Sequence, residues 1–94
     1  LALAQGQELD SGRIQGLAER TGGRIALAAG DPVRALGPLD RAVALWRDQG
    51  VRVWHARTLL DLGDALAACG RDAQARAAWT EALDLFTALK FRLR

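Results

Sequence analysis

His55 and Cys69 are the chain's sole imidazole and sole thiol. For thiol chemistry, the imidazole would have to take the proton from Cys69. The two stand fourteen residues apart on one predicted helix, which at about 1.5 Å per residue separates them by roughly 20 Å. That distance excludes a dyad within one chain. A structural zinc site needs about four donors, and no second pair of ligands accompanies these two. The plainer readings are a partly exposed interhelical imidazole for His55 and a small core residue for Cys69.

The other polar clusters point away from catalysis. Thr21-Gly22-Gly23-Arg24 lacks the spacing of a phosphate loop and follows no strand. Close packing explains its glycines. Asp61 and Asp64 share a helix at i, i+3, where a solvated or salt-bridged face is the default. Arg20 and Arg24 stand at i, i+4. Guanidinium groups recognise carboxylates well, so the pair is a candidate anchor for an acidic peptide. The competing reading pairs Arg20 or Arg24 with Asp61 or Asp64. No sequence feature specifies a cofactor or a metal, and the chain does not read as an enzyme.

Composition narrows the class. Half of the 94 residues are apolar, with no Tyr or Met and few aromatics. Ala and Leu favour helices that approach closely, and the β-branched and aromatic residues that strands prefer are scarce. The fold class is therefore all-α. A net charge of +2, with acids and bases interspersed, lacks the clustered Lys and Arg of a nucleic-acid surface. Direct DNA binding is a distant alternative, because no helix carries a dense basic row with polar base readers. A lone cysteine argues against a small secreted domain stapled by disulfides. No apolar run approaches the ~20 residues of a membrane span. These features point to a cytoplasmic protein without a membrane partner. The chain opens on Leu1-Ala2-Leu3-Ala4, which reads as the end of a preceding element and suggests a piece of a longer protein.

Glycine, proline and aspartate divide the chain into four helices. Asp10-Ser11-Gly12 precedes the first, and residues 1–9 read as a frayed helix end or a loop. Ile14, Leu17/Ala18, Thr21, Ile25 and Ala28 trace its apolar stripe, and Gly30 ends it. Asp31 caps helix two with Pro32 at its first position. Ala35, Leu39, Ala42/Val43 and Trp46 form the second stripe. Pro38 inside this helix predicts a kink, and Gly50 closes it. Helix three starts near Val53, with Trp54, Thr58, Leu62, Ala65/Leu66 and Cys69 as its stripe, and Gly70 closes it. Asp72 is the expected N-cap of helix four, whose stripe runs through Ala75, Trp79, Ala82/Leu83, Leu85/Phe86 and Leu89.

The second half repeats the first at an offset of forty: Gly23 matches Gly63, Gly30 matches Gly70, Ala35 matches Ala75 and Ala42 matches Ala82. A repeated helix pair of this length points to stacked hairpins. Repeat one covers about 12–50 and repeat two about 52–90, in a single domain. Leu59-Leu60-Asp61-Leu62-Gly63-Asp64-Ala65-Leu66, followed by Ala75, Trp79 and Ala82, resembles a tetratricopeptide repeat. Gly23, Ala35, Leu39 and Ala42 carry the same pattern in the first repeat. Gly22 and Glu19 depart from it there, and Thr87 stands where a closing Pro is expected. The forty-residue length, with its extra residues in Trp46–Val53, resembles the repeats of large ATP-dependent bacterial transcriptional regulators.

The resemblance implies a right-handed α-solenoid fragment made of two stacked antiparallel hairpins. It also implies that Arg20, Arg24, Arg57, Leu60, Asp61 and Asp64 line an inner groove for a protein or peptide partner. The implied function is protein–protein interaction or scaffolding within a larger regulatory protein. The alternative is self-association, for example as a homodimer, through the flank of Trp79, Leu83, Phe86, Leu89 and Phe91.

Overall fold

In the computed structural model the backbone is described for residues 2–92 and the side chains for residues 11–90. Four helices follow one another: α1 (Ala2–Ala28), α2 (Pro32–Gln49), α3 (Arg52–Ala68) and α4 (Asp72–Arg92). They pack as consecutive antiparallel pairs, α1 on α2, α2 on α3 and α3 on α4, and no strand occurs among the described residues. The all-α class and the two hairpins agree with the reading of the sequence.

The three connections share one chemistry. Gly30, Gly50 and Gly70 have φ of 80°, 70° and 78°, in the left-handed region that a side chain disfavours. Around Gly30 the amides of Gly30 and Asp31 donate to the carbonyls of Leu27 and Ala26. Gly50 and Val51, then Gly70 and Arg71, repeat this double bond. Each helix end thus satisfies its orphan carbonyls in the same way. Asp31 accepts from the Arg34 amide at 3.2 Å and caps α2. At α4 the helix already includes Asp72, and the Ala75 amide bonds to the Arg71 carbonyl. The cap position is therefore Arg71, not Asp72.

Two further expectations need correction. First, α1 does not start after Asp10-Ser11-Gly12 but runs through it from Ala2. Gly12 faces the Gln49 side chain, and a Cβ on Gly16 would lie 2.6 Å from the Trp46 ring. These glycines are the groove in which α2 lies, so the packing they allow outweighs their roughly 1 kcal/mol helix penalty. Second, the stripe Ile14, Leu17/Ala18, Thr21, Ile25 and Ala28 faces outward, with Ile14 66% and Ile25 64% exposed. The buried face of α1 is instead Gly16, Gly23 and Ala26. The extra residues at Trp46–Val53 lie mostly within helices. Only Gly50 and Val51 separate α2 from α3, so the added length extends those helices. Pro38 lies inside α2, as the sequence places it.

Helix α3 lies between α2 and α4 and is buried on two sides. Ala26, Ala35, Leu39 and Ala65 form one core cluster. Val43, Leu59, Ala78 and Ala82 form another. Leu62 packs against both and joins the hairpins. Ala35, Leu39, Ala42, Ala75 and Ala82 are fully buried, as the forty-residue register requires. Cys69 is half-buried, not a core residue. Among the described residues no helix is long and apolar enough to cross a membrane.

Candidate functional site

Helix α1 reaches α3 directly, whereas no Cα of α2 comes within 8 Å of one in α4. The first helices of the two hairpins therefore converge, and the second helices splay apart. The convergent side carries the arginines that the sequence singled out.

Arg20 Nε donates to Asp61 Oδ2 at 2.8 Å, and both side chains are largely covered. This pair joins the hairpins, so Arg20 is not a free anchor. Its guanidinium also lies 5.2 Å from the ring centre of Trp54, and that of Arg57 lies 5.5 Å away. Cation–π attraction to an indole is worth about 0.5–1 kcal/mol at exposed sites. Trp54 in turn stacks on Trp46, with ring centres 6.1 Å apart and planes 25° apart. Arg24, Arg57, Leu60 and Asp64 remain exposed. Neither Arg24 nor Arg57 has an ion-pair partner among the described residues.

Trp54 is the central member of this group, and the groove residues chosen from the sequence omit it. The periodicity of α3 places it in the apolar stripe. A signal was present: Trp54 and Arg57 stand at i, i+3, the spacing at which a guanidinium can cover a ring.

The splayed side forms a second feature. A cleft of about 510 Å³ opens between α2 and α4, with α3 as its floor. Leu36, Leu62 and Leu66 make it apolar, while Asp40, Arg71 and Gln74 stand at its edge. Arg47 of α2 reaches Glu81 of α4 at 3.0 Å and ties the two outer helices together.

Comparison with protein families, curated proteins and solved structures found no match. The reading of this surface rests on its own chemistry. Among the described residues no three His, Cys, Asp or Glu side chains gather as a metal site.

The flank expected on α4 divides in the structure. Leu83 is open, at 62% exposure. Trp79 turns its indole against Gly63 inside the second hairpin. Phe86 packs against the cluster of Val43, Leu59, Ala78 and Ala82. Leu89 is half-buried, and Phe91 lies outside the residues whose side chains are described.

His55 is buried, not partly exposed, and its Nε2 has no hydrogen-bond partner. Burial lowers its pKa below the ordinary 6.5, Glu81 raises it in part, and Arg47 lowers it. The unfolded chain takes up the proton near 6.5, while the folded chain resists it. Folding stability is therefore full above pH 6.5 and is lost as the pH falls towards the lowered value. His55 is the only histidine, so the window between pH 7.5 and 5.5 belongs to it. The midpoint of urea unfolding should fall across that window. In His55→Gln the midpoint should change less.

Proposed function

We propose that this chain is a protein-interaction module that holds an acidic, extended segment of a partner on the α1/α3 face. The observation that carries this reading is two exposed arginines without ion-pair partners among the described residues, Arg24 of α1 and Arg57 of α3. Of these, Arg57 lies against a tryptophan already ordered by stacking. Arg20 and Asp61 neutralise one another, so they stiffen the platform and leave Arg24 and Arg57 to meet the ligand. Leu60 adds an apolar contact, and Asp64 selects against a second acidic group at its end.

The helix pairing and the forty-residue register support a tetratricopeptide-like stack. The long repeat fits the scaffold regions of large bacterial transcriptional regulators. A surface joined by ion pairs and aromatic stacking suits recognition better than turnover. The polar groups described above serve packing and docking, and none is set beside an activating base.

The test is fluorescence anisotropy with a labelled peptide that carries four consecutive glutamates and a free C-terminal carboxylate. Charge-assisted hydrogen bonds contribute roughly 1.5–3 kcal/mol each. Arg24→Glu together with Arg57→Glu should therefore weaken binding by more than about tenfold. Added salt should weaken the parent protein's binding in the same direction. Equal affinity for the parent and the double variant would refute this reading.

A further inference from the structure

The outer faces of α1 and α4 carry side chains whose positions match those of the internal joint. On one side of that joint, α3 presents Trp54, Thr58, Asp61, Leu62 and Ala65 to the first hairpin. Forty residues earlier stand Ile14, Ala18, Thr21, Gly22 and Ile25, and all of them are exposed on α1. On the other side, Val43 and Trp46 of α2 and Arg20 of α1 face α3. Forty residues later stand Leu83, Phe86 and Leu60.

This register explains where the apolar surface lies. Among the described residues, seven large aliphatic side chains are exposed: Ile14, Leu17, Ile25, Val33, Val53, Leu60 and Leu83. Four of them, Ile14, Ile25, Leu60 and Leu83, occupy positions whose counterparts form the internal joint.

The two free faces also match each other chemically. Inside the chain, Trp46 donates its indole N–H to Thr58 Oγ1 at 2.9 Å. At the ends the counterparts are Phe86 and Ala18, so donor and acceptor are lost together and neither face is left with an unpaired group. The internal group of Arg20, Trp54 and Arg57 becomes Leu60, Ile14 and Leu17. Two cations around a ring are replaced by three aliphatic side chains, which pack without charge. The internal Leu62 and Ala65 become Gly22 and Ile25, so bulk moves by one turn while the summed volume stays similar. Volume-conserving exchanges of this kind are well tolerated in packed interfaces. A shallow depression lined by Thr21, Arg24, Ile25 and Ala28 lies on the receiving face.

The geometry points to a second copy of this chain as the occupant of the α1 face. The α4 side of one molecule, with Leu83, Phe86 and Leu60, docks on Ile14, Ala18 and Ile25 of the next and continues the internal stack. The contact is heterologous, head to tail. Each added copy presents a fresh face, so growth does not stop at two. The contact shares Leu60 and the edge at Arg24 with the acidic-peptide surface, but it rests on the forty-residue register and not on that reading.

Light scattering over a hundredfold concentration range provides the first test. The mass should rise with concentration through and beyond twice the 10.1 kDa of the chain. Ile14→Asp with Ile25→Asp blocks the receiving face, and Leu83→Asp blocks the donating face. Each variant should remain a monomer with the parent's helical circular dichroism, because all three positions are already exposed. Mixed in equal amounts, the two variants should form a one-to-one complex that grows no further, since each retains the face that the other lacks. A monomeric parent at all concentrations would overturn the inference. So would a closed dimer, or two variants that fail to combine. Peptide binding by the Leu83→Asp variant reads the Arg24/Arg57 surface separately, so failure of one proposal does not obscure the other.

Discussion

Trp46→Ala is expected to lower stability by about 3–5 kcal/mol, the usual cost of removing a large buried aromatic. Trp46 is 1% exposed and is among the largest fully buried side chains described. Its ring fills the space above Gly16 on one side and stacks on Trp54 on the other. Its N–H also holds the Thr58 hydroxyl, which donates onward to the Trp54 carbonyl at 2.7 Å. Truncation therefore opens a cavity at the meeting point of α1, α2 and α3. A small domain has only about 5–15 kcal/mol of stability in total, so this variant should be largely melted near 37 °C. Trp46→Phe separates the two contributions. It keeps most of the apolar contact and loses the hydrogen bond, so a cost of about 1 kcal/mol is expected for the bond. Thermal unfolding followed by circular dichroism gives both values. A loss below 1 kcal/mol for Trp46→Ala would mean that the hairpins are not joined through this ring.

Gly63→Leu carries the second large effect. A Cβ at Gly63 would overlap the Trp79 indole, and one at Gly23 would overlap Leu39. Leu39 is fully buried, and the part of Trp79 that a Cβ would meet is its rigid indole against the buried Gly63, so neither gives way cheaply. Overpacking costs typically 1–3 kcal/mol and sometimes more. The better helix propensity of Leu returns less than about 1 kcal/mol. At about 4–8 °C per kcal/mol for a domain of this size, the melting temperature should drop by about 10 °C. Trp79→Ala removes the obstructing ring. In the double variant the Leu should cost less than it does alone, giving a coupling energy of about 1 kcal/mol or more in a double-mutant cycle. Additive losses would place the strain of Gly63→Leu somewhere other than Trp79.

Local chemistry determined much of this fold from sequence alone. Gly30, Gly50 and Gly70 end helices because only a residue without Cβ takes the left-handed turn at little cost. Asp31-Pro32 starts α2 because the cap and the fixed ring angle act within one turn. The stripe of α2 was legible because that helix buries a single face, and Ala35, Leu39, Ala42, Val43 and Trp46 lie on it. The register of forty was legible for the same reason: paired glycines and alanines recur wherever two helices approach closely.

Tertiary contacts decided the rest. In α1 the apolar stripe that periodicity selects is the outer one. Gly16 and Gly23 have no hydrophobic signal of their own, yet Trp46 and Leu39 from α2 fill the space above them. Burial there belongs to the partner helix, and no pattern within α1 reveals it. For Arg20 the sequence offered two readings, a peptide anchor or a pair with Asp61 or Asp64. The packing of α1 on α3 decides for the pair by bringing Asp61, forty-one residues away, within 2.8 Å. Trp54 gained its central place in the same way, from one arginine on its own helix and another on α1. Sequence alone determined the helices and their ends, because capping and helical periodicity act over a few residues. Only the tertiary structure decided which faces are covered and which cations stay free, because that depends on side chains far apart in the chain.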